Sequence, residues 1–234
     1  MHRLLAAVAA VCLLSGCATQ TFITSVNGYV GTGFAPTLRH AVVPLDGGQA
    51  GDLQFAEVRQ QVERALGQTG LQVAATGERP DVGVFVDYGI GAPRIETAVL
   101  SLPVWGQTGV SSSTTTGTIN RSGSFNAVTT NTPSYGVVGT NNVPISSTVY
   151  DRFLTLNGFD LNEYARTKEV KRLWQIKVTS SGSSGDLRLV IPYLLASAVP
   201  YIGKSTGRAV DVNVLVDSPN VAYLRTGAAP PPKH

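Results

Sequence analysis

The chain has 234 residues, 43% of them hydrophobic and 14% charged, with a formal net charge of +3. That length suits one substantial core with appendages, and so small a basic excess makes no case for nucleic acid or anionic lipid as a partner. Of its three histidines, His2 and His234 lie at the two ends of the sequence, so only His40 is placed for a folded core; a histidine-cluster metal site is excluded, and any Ser-His-Asp site would depend on that one residue.

The first stretch reads as an export signal. Arg3 precedes an apolar run of eleven residues, Leu4 to Leu14, within the length of a signal core and far short of a membrane span. The ending Leu14-Ser15-Gly16-Cys17 resembles the bacterial lipobox, which implies a signal peptide over residues 1–16, cleavage before Cys17 and fatty acyl groups such as palmitate anchoring the chain through that sulfur. By the same resemblance, Ala18 in place of Asp argues against inner-membrane retention and for the outer membrane, facing the periplasm. Cys12 then leaves with the signal and Cys17 is committed to lipid, so no pair remains for a disulfide.

Residues 17–36, with Gly28, Gly31 and Gly33, are expected to form a lipidated N-terminus and flexible spacer. The domain proper is expected over 37–217. Leu38 to Val43 reads as a first strand ended by Pro44. Asp52 suits an N-cap, and Phe55, Val58, Val62, Ala65 and Leu66 recur at helical spacing on one face until Gly67 and Gly70 stop the helix. Leu71 to Ala74 is a short strand, and Val82, Val84, Val86 and Tyr88 alternate as the dry side of another.

From Gln107 to Thr148 the character changes: 28 of 42 residues are Ser, Thr, Gly or Asn, and Arg121 is the only charge. Disordered linkers carry more charge, and the Thr, Val, Ile and aromatic content favours extended structure, so the segment is read as a projecting β-hairpin inserted in the domain. Two strands follow, from Tyr150 and over Leu173 to Thr179, joined by a charged turn over Asn162 to Arg172. Asp186 is placed to cap a helix that is apolar nearly all round and hence buried, with Pro192 kinking it or starting a fresh turn, and Pro200 ending it. Val210 to Val216 is the last strand, and residues 218–234 read as a C-terminal tail. The fold class expected is α+β: a mainly antiparallel sheet with two helices on one face and the long polar hairpin insertion.

Pro80-Asp81-Val82-Gly83-Val84, Tyr150-Asp151-Arg152-Phe153-Leu154, Leu173-Trp174-Gln175, and Asp186-Leu187-Arg188 through Pro200-Tyr201-Ile202-Gly203 carry a resemblance, over roughly Phe34 to Val216, to bacterial envelope lipoproteins grouped as domain of unknown function 4136. The resemblance implies an α+β envelope domain and no activity.

The chemistry of the residues points the same way. His40 lacks a glycine elbow or a nearby acid and reads as a satisfied or edge histidine rather than a base. No catalytic, cofactor-binding or metal-binding residue is assigned. Arg188, in the first turn of the apolar helix where a cation is unfavourable, is expected to pair with Asp186 or another carboxylate. With Trp105 and Tyr135 it forms the candidate contact surface. The function expected is a lipid-anchored, non-enzymatic envelope protein whose hairpin offers strand edges to an envelope partner or to another copy of itself. The alternative is a periplasmic module binding a small ligand in a cleft between sheet and hairpin.

Overall fold

A computed structural model describes residues 20–75 and 77–228 of the chain. The lipidation expected at Cys17 and the signal peptide therefore lie outside the described residues. The described chain forms two compact units: one runs up to Arg94 and resumes at Val149, the other is Ile95–Thr148.

In chain order the elements are β1 (Thr21–Val30), β2 (Arg39–Val42), α1 (Gly47–Ala50), α2 (Leu53–Gln68), β3 (Gln72–Val73) and β4 (Val82–Ile90). Then come β5 (Arg94–Ile119), β6 (Phe125–Asp160), α3 (Leu161–Thr167), β7 (Arg172–Gly182) and α4 (Leu187–Ala198). A 3-10 turn (Val199–Tyr201), β8 (Val210–Leu215) and α5 (Pro219–Thr226) complete the chain. The strands join in the order β3-β2-β4-β6-β7-β1-β8, with β5 paired to β6.

This architecture corrects the expected fold class. Among the described residues there are five α-helices rather than two, and the eight-stranded sheet is mixed: β2 runs parallel to both β3 and β4, while β4, β6, β7, β1 and β8 follow one another antiparallel. The parallel part has a simple cause. A helix the length of α2, 16 residues, carries the chain from the end of β2 back to its start, and a strand that follows such a crossover must run in the same direction.

Two expected boundaries also move. Residues 21–30, read as part of a spacer, are β1, paired on both sides by β7 and β8. Their apolar signal is broken at Gly28, yet the glycine belongs there: a Cβ at that position would come within 2.5 Å of the Lys204 carbonyl oxygen, where the chain crosses β1. The expected tail from 218 contains α5, whose Val221 and Leu224, three residues apart, are both buried.

One core serves the first unit. Even-numbered side chains of the sheet, among them Val26, Val84, Leu154, Leu156, Ile176 and Val178, point into it together with the buried faces of α2 and α4. Asp52 accepts from the Gln54 amide over 3.0 Å and Asp186 from the Arg188 amide over 2.9 Å, so each carboxylate satisfies a first-turn donor of its helix. Helix α4 passes through Pro192 as one element, with the proline ring buried.

The second unit is a ribbon made by β5 and β6. Its turn is held by Asn120, whose amide donates to the Ser124 carbonyl and whose side-chain oxygen accepts from the Ser122 and Ser124 amides. The ribbon extends beyond the hairpin expected over 107–148, since Ile95 to Gly106 are strand as well.

Candidate functional site

The face of the sheet opposite α2 and α4 carries the odd-numbered side chains of β4, β6 and β7. Phe85 and Phe159 meet edge to face there, their centroids 5.5 Å apart, and the Arg172 guanidinium lies 5.3 Å from the Phe159 ring centre. Helix α3 begins at Asp160, which caps it by accepting from the Glu163 amide over 2.9 Å, and it brings Leu161 and Tyr164 over the same end. With Leu45, Gln49, Asn157 and Val170 these side chains bound a groove of about 610 Å³. Asp87 lines this groove, exposed and without a hydrogen-bond partner among the described residues.

Among the buried polar side chains of the described residues, His40 and Arg152 are the two that carry ionisable groups. His40 is fully buried and both ring nitrogens are engaged: the Trp174 Nε1 donates to Nε2 over 3.3 Å, and Nδ1 lies 3.3 Å from the Gln72 carbonyl oxygen. Because an indole nitrogen can only donate, Nε2 must be the acceptor and the proton resides on Nδ1. Burial pushes the His40 pKa below its ordinary value. His40 thus ties β2 to β3 and β7 within the core and does not face solvent.

Arg152 is the second such group, only 4% exposed. Its Nη2 donates to the Ser180 hydroxyl over 2.9 Å, its Nη1 to the Ser184 carbonyl over 3.4 Å, and the guanidinium lies 4.8 Å from the centre of the Phe22 ring, which also stacks with Tyr193. Its Nε has no hydrogen-bond partner among the described residues. Burial pulls its pKa down, and its stabilising contacts are two oxygen acceptors and an aromatic face rather than a contacting carboxylate.

The ribbon differs from the first unit in burial. Its side chains are almost all exposed, and they include large apolar ones on both strands: Leu100, Leu102, Val104, Val137, Val138 and Ile145. Polar side chains pair across it near the turn, the hydroxyls of Thr115 and Thr129 at 2.9 Å and the Ser113 hydroxyl donating to the Asn131 side-chain oxygen over 2.7 Å. Trp105 and Tyr135 are 68% and 69% exposed. A Cβ on Gly106 would touch Val138 and one on Gly136 would touch Thr108, so the two aromatic residues sit on opposite strands about four positions apart along the ribbon, roughly 13 Å.

The third candidate contact residue belongs to the other unit. Arg188 belongs to the first unit, where it is 72% exposed and its Nη2 meets Glu57 Oε2 at 2.8 Å, a partner on α2 rather than Asp186. Asp186 is occupied with the backbone amide of Arg188. The groove around Phe85, Phe159 and Tyr164 was not foreseen. Its signal in the sequence is faint, since Phe85 and Phe159 take alternate positions of their strands that they share with Asp87, Thr155 and Asn157.

Among the described residues no three His, Cys, Asp or Glu side chains are grouped as metal ligands, and no helix is long and apolar enough to cross a membrane. No protein family and no curated protein matches the chain. One solved structure, that of a PDZ domain protein from Parabacteroides distasonis ATCC 8503, is similar over 90% of this chain and 42% of that one, with 16% sequence identity and a TM-score of 0.40.

Proposed function

We propose that the chain is a non-enzymatic, lipid-anchored protein of the bacterial cell envelope, held at the periplasmic side of the outer membrane by acyl groups on Cys17 and binding other polypeptides through its ribbon. The observation that carries the binding role is the ribbon's pairing. Among the described residues, Ile95–Thr148 hydrogen-bonds as strand only within itself, which leaves two long outer edges open. Proteins that keep such edges single blunt them with lysines, prolines, bulges or a covering element; the ribbon has no lysine, and its prolines are Pro103, Pro133 and Pro144. Between Glu96 and Asp151 the only charge is Arg121, at the turn. A strand added to either edge gains backbone hydrogen bonds and covers apolar side chains together, which is the physics of strand augmentation.

Cross-linking in intact envelopes tests the binding role. The native chain is expected to give adducts heavier than itself, and the variant carrying Val104→Lys, Val110→Lys and Val137→Lys is expected to lose them. Identical adducts from both would overturn it. The anchor is tested separately by mass spectrometry, with a mature chain starting at a lipid-bearing Cys17 as the expected result; an unmodified start further on would remove that half of the reading.

The groove favours a second reading, binding of a small ligand. It lies within the first unit rather than in a cleft between sheet and hairpin, and Phe85, Phe159 and Tyr164 line it together with a carboxylate, Asp87, that has no hydrogen-bond partner among the described residues. Such walls suit an apolar molecule with one basic group. A thermal-shift series of such amines is expected to raise the melting temperature, and Asp87→Asn to abolish the rise; a melting temperature that no amine moves excludes this reading.

A further inference from the structure

Resting on the reading that the ribbon binds protein, we propose that its partner is another copy of the same chain: the outer edge of β5 pairs antiparallel with the outer edge of β6 in the next copy, with all turns pointing the same way.

The first argument is length. At about 3.3 Å per residue the ribbon extends roughly 80 Å, whereas strands in globular proteins usually run about five or six residues. A two-stranded ribbon is marginal in water by itself and is stabilised by further strands. An unlike partner would have to contribute an extended segment of matching length. A second copy contributes one by construction.

The second argument is the banding of the sequence along the ribbon. Next to the turn, seven of the eight residues Ser111 to Thr118 carry hydroxyls, and Thr129, Thr130, Asn131 and Thr132 answer them on the return strand. Further from the turn, the bands 99–110 and 135–145 hold the leucines, most of the valines, Trp105 and Tyr135, while Ile119, Phe125 and Val128 lie beside the turn. Within one ribbon the bands already coincide, as the pair Thr115–Thr129 near the turn and the approach of Gly106 to Val138 further out show. A second copy laid alongside in the same direction repeats that match strand for strand, and because β5 runs toward the turn and β6 away from it, the new pair is antiparallel. A copy laid in the opposite direction would set hydroxyls against leucine and valine and leave the hydroxyls unmatched.

The third argument is charge. Partner choice between unlike proteins is usually written in charges, attractive for the right partner and repulsive for the wrong one. The ribbon has little to write with: Glu96 sits at its base, Arg121 at its turn, and no charge lies between them on either strand; in a side-by-side array each Arg121 stays at the solvated turn. Pro103, Pro133 and Pro144 each remove one backbone donor, which leaves Val104 to Ile119 as the long proline-free stretch of β5. The contact is head to tail: every copy that uses its β5 edge still presents a β6 edge, so addition continues until a ring closes, and ring closure is what leaves no edge open.

The test uses the full-length chain. Thr114→Cys chains are co-expressed with chains carrying Val128→Cys, Thr130→Cys, Thr132→Cys or, far from the turn, Val143→Cys, and envelopes are oxidised. Expected is a disulfide-linked dimer of the Thr114→Cys chain with one of the three near-turn partners, several-fold above both the native chain, whose own cysteines set the background, and the Val143→Cys pair. Sedimentation of the unsubstituted chain in detergent is expected to give a multiple of its mass, a readout that needs no variant to fold. Cross-linking at Val143→Cys as strong as near the turn, no dimer above background, or a native chain that sediments as a monomer would each overturn self-pairing. If those results came with lysine-sensitive adducts in the envelope, the ribbon would still bind protein, but an unlike one.

Discussion

The indole nitrogen of Trp174 donates to the imidazole of His40 across the sheet interior, 3.3 Å apart, and both side chains are buried. Replacing His40 with Phe keeps most of the volume and removes the acceptor. The buried indole N–H then goes unsatisfied, as does the Gln72 carbonyl, at a cost of about 1–3 kcal/mol. Urea denaturation of the variant is expected to show a lower midpoint with an unchanged slope.

The same pair makes the fold sensitive to mild acid. Burial holds the folded His40 pKa below 6.5, so the unfolded chain takes up the proton more readily than the folded one. That contribution to stability is complete above about pH 6.5 and declines as the pH falls below it toward the folded-state value. Stability measured at about pH 7.5 should therefore exceed that at about pH 5.5, and His40→Phe should flatten the difference. Asp81 adds a second decline at lower pH. The side chain and amide of Arg39 and the side chain of Asn162 hold its carboxyl far below the ordinary 3.8, so its contribution is present above 3.8 and is lost as the pH falls beneath it.

Gly158 lies directly against the Trp174 indole, and a methyl group there would overlap the ring nitrogen. It is also the position where the pairing of β6 with β7 slips by one residue. Gly158→Ala is expected to displace the indole, break its bond to His40 and cost about 1–3 kcal/mol. Quenching or a shift of the Trp174 fluorescence, read in a Trp105→Phe background, reports the displacement directly.

Arg188 and Glu57 meet at 2.8 Å with side chains 72% and 37% exposed. A pair so open to water contributes little, and a double-mutant cycle with Arg188→Ala and Glu57→Ala is expected to give a coupling of under about 1 kcal/mol that fades in high salt.

The sequence made some of this fold readable and hid the rest for identifiable reasons. Helix α2 announces itself by buried residues at three- and four-residue steps, and Asp52 marks its start. Helix α4 is equally plain from its apolar run. Strand β1 escaped because Asn27 and Gly28 interrupt its alternation, and the reason for the glycine, the crossing of the chain at Lys204, is a contact between residues far apart in sequence. Helix α5 is short and mostly polar, with two buried side chains too few to set a period. The parallel pairing of β2 and β4 depends on where α2 delivers the chain, which local pattern does not encode. Of the candidate contact residues, Trp105 and Tyr135 are exposed in the ribbon, while Arg188 found its carboxylate on α2 because Asp186 was already engaged as a cap. The groove beside Asp87 draws on four separate segments, which only folding assembles.

One carboxylate in that fold has a reach beyond its size. Asp81 accepts from the amide and guanidinium of Arg39 at the start of β2 and from the Asn162 side chain on α3, while its own carbonyl accepts from the Leu161 amide. Three chain segments are thereby buttoned at a single point. The consequence is kinetic: the margin formed by β2 and β3 cannot fray by itself, so in deuterated water the amides of Val42 and Leu161 are expected to exchange in one shared opening, and Asp81→Asn is expected to let β2 open first.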